Sequence, residues 1–492
     1  MELTLQRDAD LPLYRQIVNQ IRDLIRSGAL SPGYRLPTVR QLAADLGLTR
    51  LTVHSAYAEL QAQGLIESHV GRGTFVAADA GRLTGGALPA EPPAPWVSQG
   101  VLAELLRADQ HQNIISFAQA FPAPETYPLR ELGQALQRAT RKSDALGYGS
   151  IQGEATLREQ IAGLLLDRGL AVPPEHILIT AGAQQGIDLA LRALVEPREV
   201  ILVEEPTYPG VLELAAQRGQ RIVGVAGDEQ GLRLDALEAA CKTYQPRLLY
   251  LVPTFGNPGG MTLAPERREP LLRLARDHRM LVVEDDVYGL LAYDDPATPP
   301  LKSLDRDGQV VYITSFSKPL APALRLGALV ASASLLPALA AAKQSSDLVG
   351  STLLQRALAD YLRRGFMASH LHLVRSLYRD HRDAMLAALE RHLSGCSWTR
   401  PAGGLSLWVR LPKEIVERDF VADAFDQGVG VAPGRAFFPQ PQPSGAMRLS
   451  FGMHPPERIE EGVATLGGVL HDHLQRRSQL FSLAGRAVGP LV

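Results

Sequence analysis

Lys318 stands in the segment TSFSKPLAPALRLG, directly after the apolar run QVVYIT at 309–314. A lysine at the end of a buried strand can carry out carbonyl chemistry, because its unprotonated amine is a nucleophile. Ligands in open α/β sheets bind beyond the carboxyl ends of the strands, so residues that follow other apolar runs are expected to share a site with Lys318. Those residues are Ala183 and Gln184 in a small-residue turn, Tyr208, Asn257, Asp285 and Tyr288.

The chemical groups in this set match pyridoxal 5'-phosphate (PLP). The amine of Lys318 can form a Schiff base with the aldehyde of PLP. The ring nitrogen of PLP withdraws electrons only when it is protonated, and a buried carboxylate such as Asp285 holds that proton. Asn257 and Tyr288 can donate hydrogen bonds to the 3'-oxygen, and the flat ring of Tyr208 can stack on the cofactor.

The same segments also provide groups for the phosphate. The backbone N–H groups of Ala183 and Gln184 begin a predicted helix, and helix N-termini bind anions. The hydroxyls of Ser315 and Ser317 and the guanidinium of Arg325 are further phosphate donors. Each signal is weak alone, but their order and their shared position at strand ends favour one cofactor site.

The elements that must position these residues follow an α/β pattern. Apolar runs alternate with helical patterns along the second part of the chain, and they include HILIT, EVILVEEP, RLLYLVPTF, MLVVEDD, VVYITSFS and LGALVAS. Such alternation predicts a mostly parallel sheet covered by helices.

Bulk properties place the chain among soluble globular proteins. Its 492 residues predict two or three domains, with 46% apolar residues, 21% charged residues and a net charge of -2. Two cysteines are too few for a disulfide framework or a metal site. The N-terminus does not resemble a signal peptide, and no apolar run reaches the length of a membrane span, so a cytoplasmic protein is expected.

A change in composition divides the chain. From about residue 77 to residue 112 it is rich in Ala, Gly and Pro, which is typical of a semi-rigid linker. We therefore predict four parts: a first domain at 1–77, a linker at 78–112, a large domain at 113–475 and a C-terminal tail at 476–492.

The first part has the pattern of a winged helix-turn-helix. Three helical patterns precede a hairpin signal around GRG, with Thr38 as the predicted N-cap of the second helix and Gly47 as its end. In this plan the third helix enters the major groove of double-stranded DNA, while neighbouring residues contact phosphates or the minor groove. The predicted DNA-binding residues are Arg40, Thr49, Arg50, Thr52, His54 and Arg72.

The charge pattern leaves another reading of this domain open. Basic and acidic side chains nearly balance within residues 1–77, so no basic stripe marks a nucleic-acid surface. Small helical domains also bind proteins, and pattern alone does not decide between the two functions.

Residues 12–76 nevertheless resemble the DNA-binding domain of GntR-type regulators, through PLY, the run from SGALSPGYRLP to QAQGLI, and the closing GRGTFV. The resemblance implies that Arg40, Arg50 and Thr52 contact DNA, with the wing glycines Gly71 and Gly73 beside the minor groove.

Residues 113–475 resemble the fold type I aminotransferases. The segments that carry the resemblance are YGSIQGEATLREQIA, ITAGAQQGIDLALRAL, EEPTYPG, PTFGNPGG, EDDVYG, SFSKPLAPALRLG and MRLSFG. The resemblance implies the same cofactor roles for the strand-end residues, with Lys318 as the Schiff-base lysine. It adds Tyr148, which reaches the phosphate from a partner subunit and so implies a homodimer, and Arg448, which binds a substrate carboxylate.

The combination resembles the MocR subfamily of GntR-type regulators. One hypothesis is a DNA-binding regulator that senses PLP, or an amino acid or amine, through its aminotransferase-like domain. The alternative is a catalytically active aminotransferase with an appended winged helix. Residual transaminase activity is compatible with the first hypothesis, because Lys318 serves both sensing and turnover.

Overall fold

The computed structural model describes residues 12–27, 29–69, 73–77, 114–141, 143–440, 442 and 444–487, with Leu3 and Leu5, but without the side chains of residues 26 and 477–487. Internal contacts divide the chain into two compact units, Met1–Ser98 and Gln99–Val492, each with its own hydrophobic core. The predicted linker at 78–112 and the wing residues Gly71 and Arg72 lie outside the described residues.

The N-terminal unit contains three helices followed by a two-stranded wing, as predicted. Its elements are α1 (Leu13–Arg26), α2 (Val39–Leu46), α3 (Arg50–Ala62), β1 (Ile66–His69) and β2 (Gly73–Val76). The wing strands are antiparallel, with Ile66 opposite Val76.

Local signals set the bounds of α2. The Thr38 hydroxyl accepts a hydrogen bond from the backbone N–H of Gln41 at 3.2 Å, and the Gln41 side chain accepts one from the backbone N–H of Thr38. This capping box satisfies two N–H groups that would otherwise lack partners. The helix ends at Gly47, whose φ of 62° suits a residue without a Cβ.

The core of this unit joins α1 to α3. Ile17 and Ile21 on α1 are fully buried, as are Val53 and Leu60 on α3. The Tyr57 hydroxyl donates a hydrogen bond to the Pro37 carbonyl at 2.8 Å, so the segment before α2 is held against the middle of α3. The N-terminal end of α3 is left on the surface.

The second unit is built around an eight-stranded sheet with the order β4-β11-β10-β9-β8-β5-β6-β7. All strands run in one direction except β11 and β7, which confirms the prediction of a mostly parallel sheet. The strands are β4 (Ile177–Thr180), β5 (Val200–Glu205), β6 (Arg221–Asp228), β7 (Gly231–Leu232), β8 (Leu248–Leu251), β9 (Leu281–Asp285), β10 (Val310–Ser315) and β11 (Gly327–Val330).

Helices surround this sheet and fill the rest of the unit. They are α4 (Leu129–Ala139), α5 (Ala155–Asp167), α6 (Ala183–Leu194), α7 (Pro209–Gln217), α8 (Leu234–Tyr244), α9 (Pro265–Asp277), α10 (Leu336–Asp347), α11 (Thr352–Arg363), α12 (Phe366–His392), α13 (Glu417–Asp426) and α14 (Pro456–Ala487). Among the described residues, no helix has the length and apolarity needed to cross a membrane.

A smaller antiparallel sheet has the order β12-β13-β16-β15. Its strands are β12 (Ser397–Trp398), β13 (Ser406–Arg410), β15 (Ala432–Pro433) and β16 (Ala446–Ser450), while β3 (Ile115–Ser116) pairs separately with β14 (Val429–Gly430). Helix α14 extends into the segment predicted as a tail from residue 476, and no Pro or Gly interrupts it between Gly468 and Gly485.

Candidate active site

A cavity of about 280 Å³ lies at the carboxyl ends of the parallel strands. All the predicted cofactor and effector residues line it except Tyr148. The complete lining is Ala118, Gln119, Ala120, Phe121, Ala183, Gln184, Tyr208, Pro209, Val252, Asn257, Asp285, Val287, Tyr288, Ser315, Ser317, Lys318, Arg325 and Arg448.

Lys318 follows β10 and extends across the cavity. Its Nζ donates a hydrogen bond to the Ala120 carbonyl at 2.7 Å and lies 5.3 Å from the centre of the Phe121 ring. Burial lowers the lysine pKa to about 8, and the positive charges of Arg448 and Arg325 act in the same direction. A neutral, nucleophilic amine is therefore far more accessible here than on a solvated lysine.

Asp285 ends β9 on the floor of the cavity. One carboxylate oxygen accepts a hydrogen bond from the Tyr250 hydroxyl at 2.8 Å, while Oδ1 is buried without a partner among the described residues. Burial raises the Asp285 pKa to about 7, and the nearby Asp286 raises it further, against the lowering effects of Tyr250 and Lys318. A protonated ring nitrogen would supply the missing partner of Oδ1, so this carboxylate fits PLP.

A turn between β4 and α6 forms the anion-binding end of the cavity. Gly182 precedes α6 with φ 92°, and a Cβ at this position would lie 3.0 Å from Arg325 Nη2. The guanidinium of Arg325 donates to the Ala181 carbonyl at 2.9 Å and to the Ser317 hydroxyl at 3.4 Å. The Ser315 hydroxyl donates to Ser317 at 3.1 Å. These donors and the N-terminus of α6 fit a phosphate dianion.

A hydrogen-bonded chain behind this turn holds it in place. The Gln185 side chain accepts from the Ala181 N–H at 2.7 Å and donates to Asp347 at 2.9 Å. The carboxylate of Asp347 also accepts from the ammonium of Lys343, a fully buried residue, at 2.7 Å. The sequence analysis did not identify these three side chains, which support the anion site without lining it.

Arg448 lies on β16, opposite Trp408 on β13, and is buried on the upper side of the cavity. Its Nη1 donates to Asn257 Oδ1 at 3.1 Å, and its Nη2 donates to the Ala118 carbonyl. Its Nε has no partner among the described residues. Burial lowers the Arg448 pKa to about 10, and the side chain still carries its charge at neutral pH.

Two tyrosines complete the polar lining. The Tyr208 hydroxyl donates to the Gln184 side chain at 3.0 Å, which ties the ring to the anion-binding turn. Tyr288 is buried, and burial raises its pKa to about 12, so its hydroxyl is a hydrogen-bond donor at neutral pH. This state suits donation to an anionic 3'-oxygen.

Tyr148 lies away from the cavity, with 89% of its surface exposed. The cavity of a single chain is therefore formed without it. Its predicted contact with a phosphate requires a second subunit and stays a prediction.

Sequence reasoning missed two aromatic residues of the site. Tyr250 lies inside the apolar run RLLYLVPTF. Only the alternation of side chains along a strand could have indicated that it faces Asp285. Phe121 follows Ala120 in a segment of little regular structure, and it is brought over Lys318 by tertiary packing that no local pattern indicates.

Five of the six predicted DNA-binding residues lie on α2, on α3 or directly before α3, and the sixth, Arg72, lies outside the described residues. Arg40 on α2 is exposed, as are Arg50 and His54 on α3. The Thr49 hydroxyl is occupied as the N-cap of α3, since it accepts from the backbone N–H of Thr52 at 3.2 Å. Thr49 therefore has a structural role in addition to any DNA contact.

The pKa of Asp285 predicts how the stability of the cofactor-free protein depends on pH. Between about pH 4 and pH 7 the unfolded carboxyl ionises while the folded one stays protonated, so this group destabilises the fold as the pH rises. Asp285→Asn removes this effect. Its Tm relative to the unmodified protein is expected to rise by several degrees between pH 5 and pH 8, as measured by thermal unfolding.

Comparing the two proteins at each pH provides the control. Burial also raises the pKa of Glu204 to about 7 and that of Glu284 to about 8, and both groups are present in each protein. The charge of Asp285 contributes to the raised pKa of Glu204, so the difference in Tm includes this smaller effect. A constant difference in Tm across this range would show that the carboxyl of Asp285 is not held protonated.

Two family models match the chain. The aminotransferase class I and II family matches residues 113–466, and the gntR family of bacterial regulatory proteins matches residues 13–76.

Several relatives match almost the whole chain. The "Uncharacterized HTH-type transcriptional regulator YisV" of Bacillus subtilis is 31% identical over 93% of this chain and 96% of its own length. The "Probable rhizopine catabolism regulatory protein MocR" of Rhizobium meliloti is 31% identical over 94% of this chain and 95% of its own.

Solved structures match the second unit. The α-aminoadipate aminotransferase LysN of Thermus thermophilus, complexed with N-(5'-phosphopyridoxyl)-L-leucine, has a TM-score of 0.72 and 36% identity, and covers 77% of this chain and 96% of its own. These findings confirm the predicted fold class and resemblance: the chain belongs to the aminotransferase class I and II family and, through its gntR-family domain, to the MocR-type transcriptional regulators.

Proposed function

We propose that this protein regulates transcription by binding operator DNA through its N-terminal unit and by sensing an amino compound in its PLP-binding cavity. The observation that carries the proposal is the cavity around Lys318, Asp285 and Arg448, present in the same chain as a winged helix with an exposed recognition end. A protein that only catalyses transamination does not need a DNA-reading domain.

The cofactor supplies an aldehyde that condenses reversibly with amines and a ring that accepts electrons. Lys318 provides the amine that attaches it, with a pKa low enough to leave part of the population unprotonated at neutral pH. With the cofactor bound, Asp285 would hold a proton at the ring nitrogen, and Asn257 and Tyr288 would donate to the 3'-oxygen. The polar atoms already facing the cavity support these roles.

The charges of the cavity favour an effector with one carboxylate. Among the described lining residues the cationic side chains are Lys318, Arg325 and Arg448. The first two serve the aldehyde and the phosphate, which leaves Arg448 for an effector carboxylate. An amino acid with a neutral side chain fits this arrangement. PLP itself is a second candidate signal, because it fills the same cavity.

The functional unit in this proposal is a homodimer. Tyr148 is 89% exposed, and Leu146 and Leu129 of the same unit are 73% and 76% exposed. These large side chains on one unit favour coverage by a second copy, whose Tyr148 would then complete the anion site. A dimer also presents two winged helices to two operator half-sites.

Turnover as an aminotransferase is a second candidate function, favoured by the lowered pKa of Lys318. An amine with a pKa of about 8 can accept and return a proton near neutral pH, as a transaminating lysine must. Release of a keto acid from a saturating amino acid would measure this activity directly.

DNA binding to the chain's own upstream region tests the proposal. We expect tight, salt-sensitive and sequence-specific binding that shifts when PLP or an amino acid is added. Arg50→Ala is expected to weaken specific binding by about 1–3 kcal/mol if the guanidinium contacts a base. Fluorescence anisotropy with labelled duplexes gives both values.

Random-sequence DNA is the matched control for Arg50. An equal loss on random DNA would make Arg50 a phosphate contact rather than a base contact. Absence of specific DNA binding, together with rapid keto-acid release, would identify the protein as an aminotransferase with an appended domain.

A further inference from the structure

Leu51 occupies an unusual position for a leucine. It is the second residue of α3, and 74% of its surface is exposed, more than any other large apolar side chain among the described residues of the N-terminal unit. Single exposed leucines are common on protein surfaces, so exposure alone carries no meaning. The position matters because the first turn of the third helix is the part of this fold that meets base edges.

The neighbours of Leu51 restrict which side chains can read a base. The hydroxyls of Thr49 and Thr52 are hydrogen-bonded to each other at 2.9 Å, and Thr49 also caps the helix. Val53 is fully buried in the core. The exposed side chains of the first turn are therefore a guanidinium and an isobutyl group, at Arg50 and Leu51.

We propose that Leu51 reads the methyl group of a thymine in the major groove, close to the base pair contacted by Arg50. This inference rests on the proposed DNA-binding function. A leucine side chain has no donor or acceptor for a phosphate or a polar base edge. The thymine C5-methyl is the apolar group that base pairs present in the major groove.

The position of Leu51 limits which base pairs its side chain can reach. Arg50 and Leu51 are consecutive in the first turn of α3, with Cα atoms about 3.8 Å apart, so both side chains start from the same place in the groove. Arginine most often contacts the O6 and N7 atoms of guanine. The preferred half-site is therefore expected to contain a thymine within about two base pairs of the guanine read by Arg50.

The test begins with selection of preferred sequences from a randomised duplex by the full-length chain. The thymine is then replaced by uracil, which removes only the methyl group. We expect binding to weaken about fourfold, the effect of exposing one buried methyl group. Leu51→Ala is expected to bind thymine and uracil duplexes equally, whereas Gln61→Ala, at an exposed residue near the other end of α3, keeps the thymine-to-uracil ratio.

The outcomes separate this inference from the function on which it rests. Equal binding of thymine and uracil duplexes by the unmodified protein would overturn the role of Leu51 while leaving specific DNA binding intact. A Leu51→Ala protein that keeps the fourfold preference would also overturn it, because another group would then contact the methyl. If selection yields no preferred sequence, the proposed DNA-binding function itself fails.

Discussion

Replacing Lys318 by alanine is expected to abolish covalent attachment of PLP. Lys318 Nζ is the only lysine amine among the described residues that line the cavity, and its lowered pKa leaves it able to attack an aldehyde. After treatment with borohydride, the unmodified protein should yield one modified peptide containing Lys318. The variant should yield none, as measured by mass spectrometry of the digested protein.

Lys318→Arg is the matched control, because it keeps a positive charge beside Asp285 but cannot condense with an aldehyde. Both variants are expected to retain non-covalent binding of PLP through the phosphate groups and Asp285. A cofactor adduct fixed to either variant within this cavity would show that another residue forms the attachment.

Replacing Arg448 by leucine is expected to reduce the affinity for an amino acid effector by about 100-fold. The guanidinium is buried, and the loss of one partner from a buried charge pair has an effect of this size. The spectral change of the bound cofactor during titration measures the affinity. Arg448→Lys should recover only part of it, because an ammonium lacks the planar pair of donors.

An amine that matches the effector but lacks its carboxylate distinguishes loss of carboxylate binding from general damage to the site. Arg448 also holds Asn257 and the Ala118 carbonyl, so its removal could disturb the site in general. If the arginine binds the carboxylate, the Arg448→Leu protein should respond to this amine much as the unmodified protein does. Equal losses for both compounds would assign Arg448 to support of Asn257 instead.

Much of the site was predictable because strand ends converge. Lys318, Asp285 and Asn257 are far apart in the sequence, but each follows a parallel strand and so reaches the same edge of the sheet. The bounds of α2 were equally predictable, because Thr38 and Gly47 cap the helix through hydrogen bonds to residues close to them in the sequence.

The remainder depends on contacts that no local pattern indicates. Tyr250 has a polar role inside an apolar strand, which becomes visible only when Asp285 is placed beside it. Tyr148 is exposed in one chain, and its predicted role needs a second chain. The sequence pattern predicts Thr49 only as a DNA contact, and the structure shows that its hydroxyl also caps α3.

The hydrogen bonds of Arg448 give its two Nη atoms a preference among anions. Asn257 Oδ1 and the Ala118 carbonyl accept from these two atoms, so a carboxylate that binds across them replaces both contacts. A planar carboxylate can replace both contacts at once, whereas a spherical anion such as chloride replaces only one. The guanidinium of Arg448 therefore favours planar carboxylates over single-atom anions.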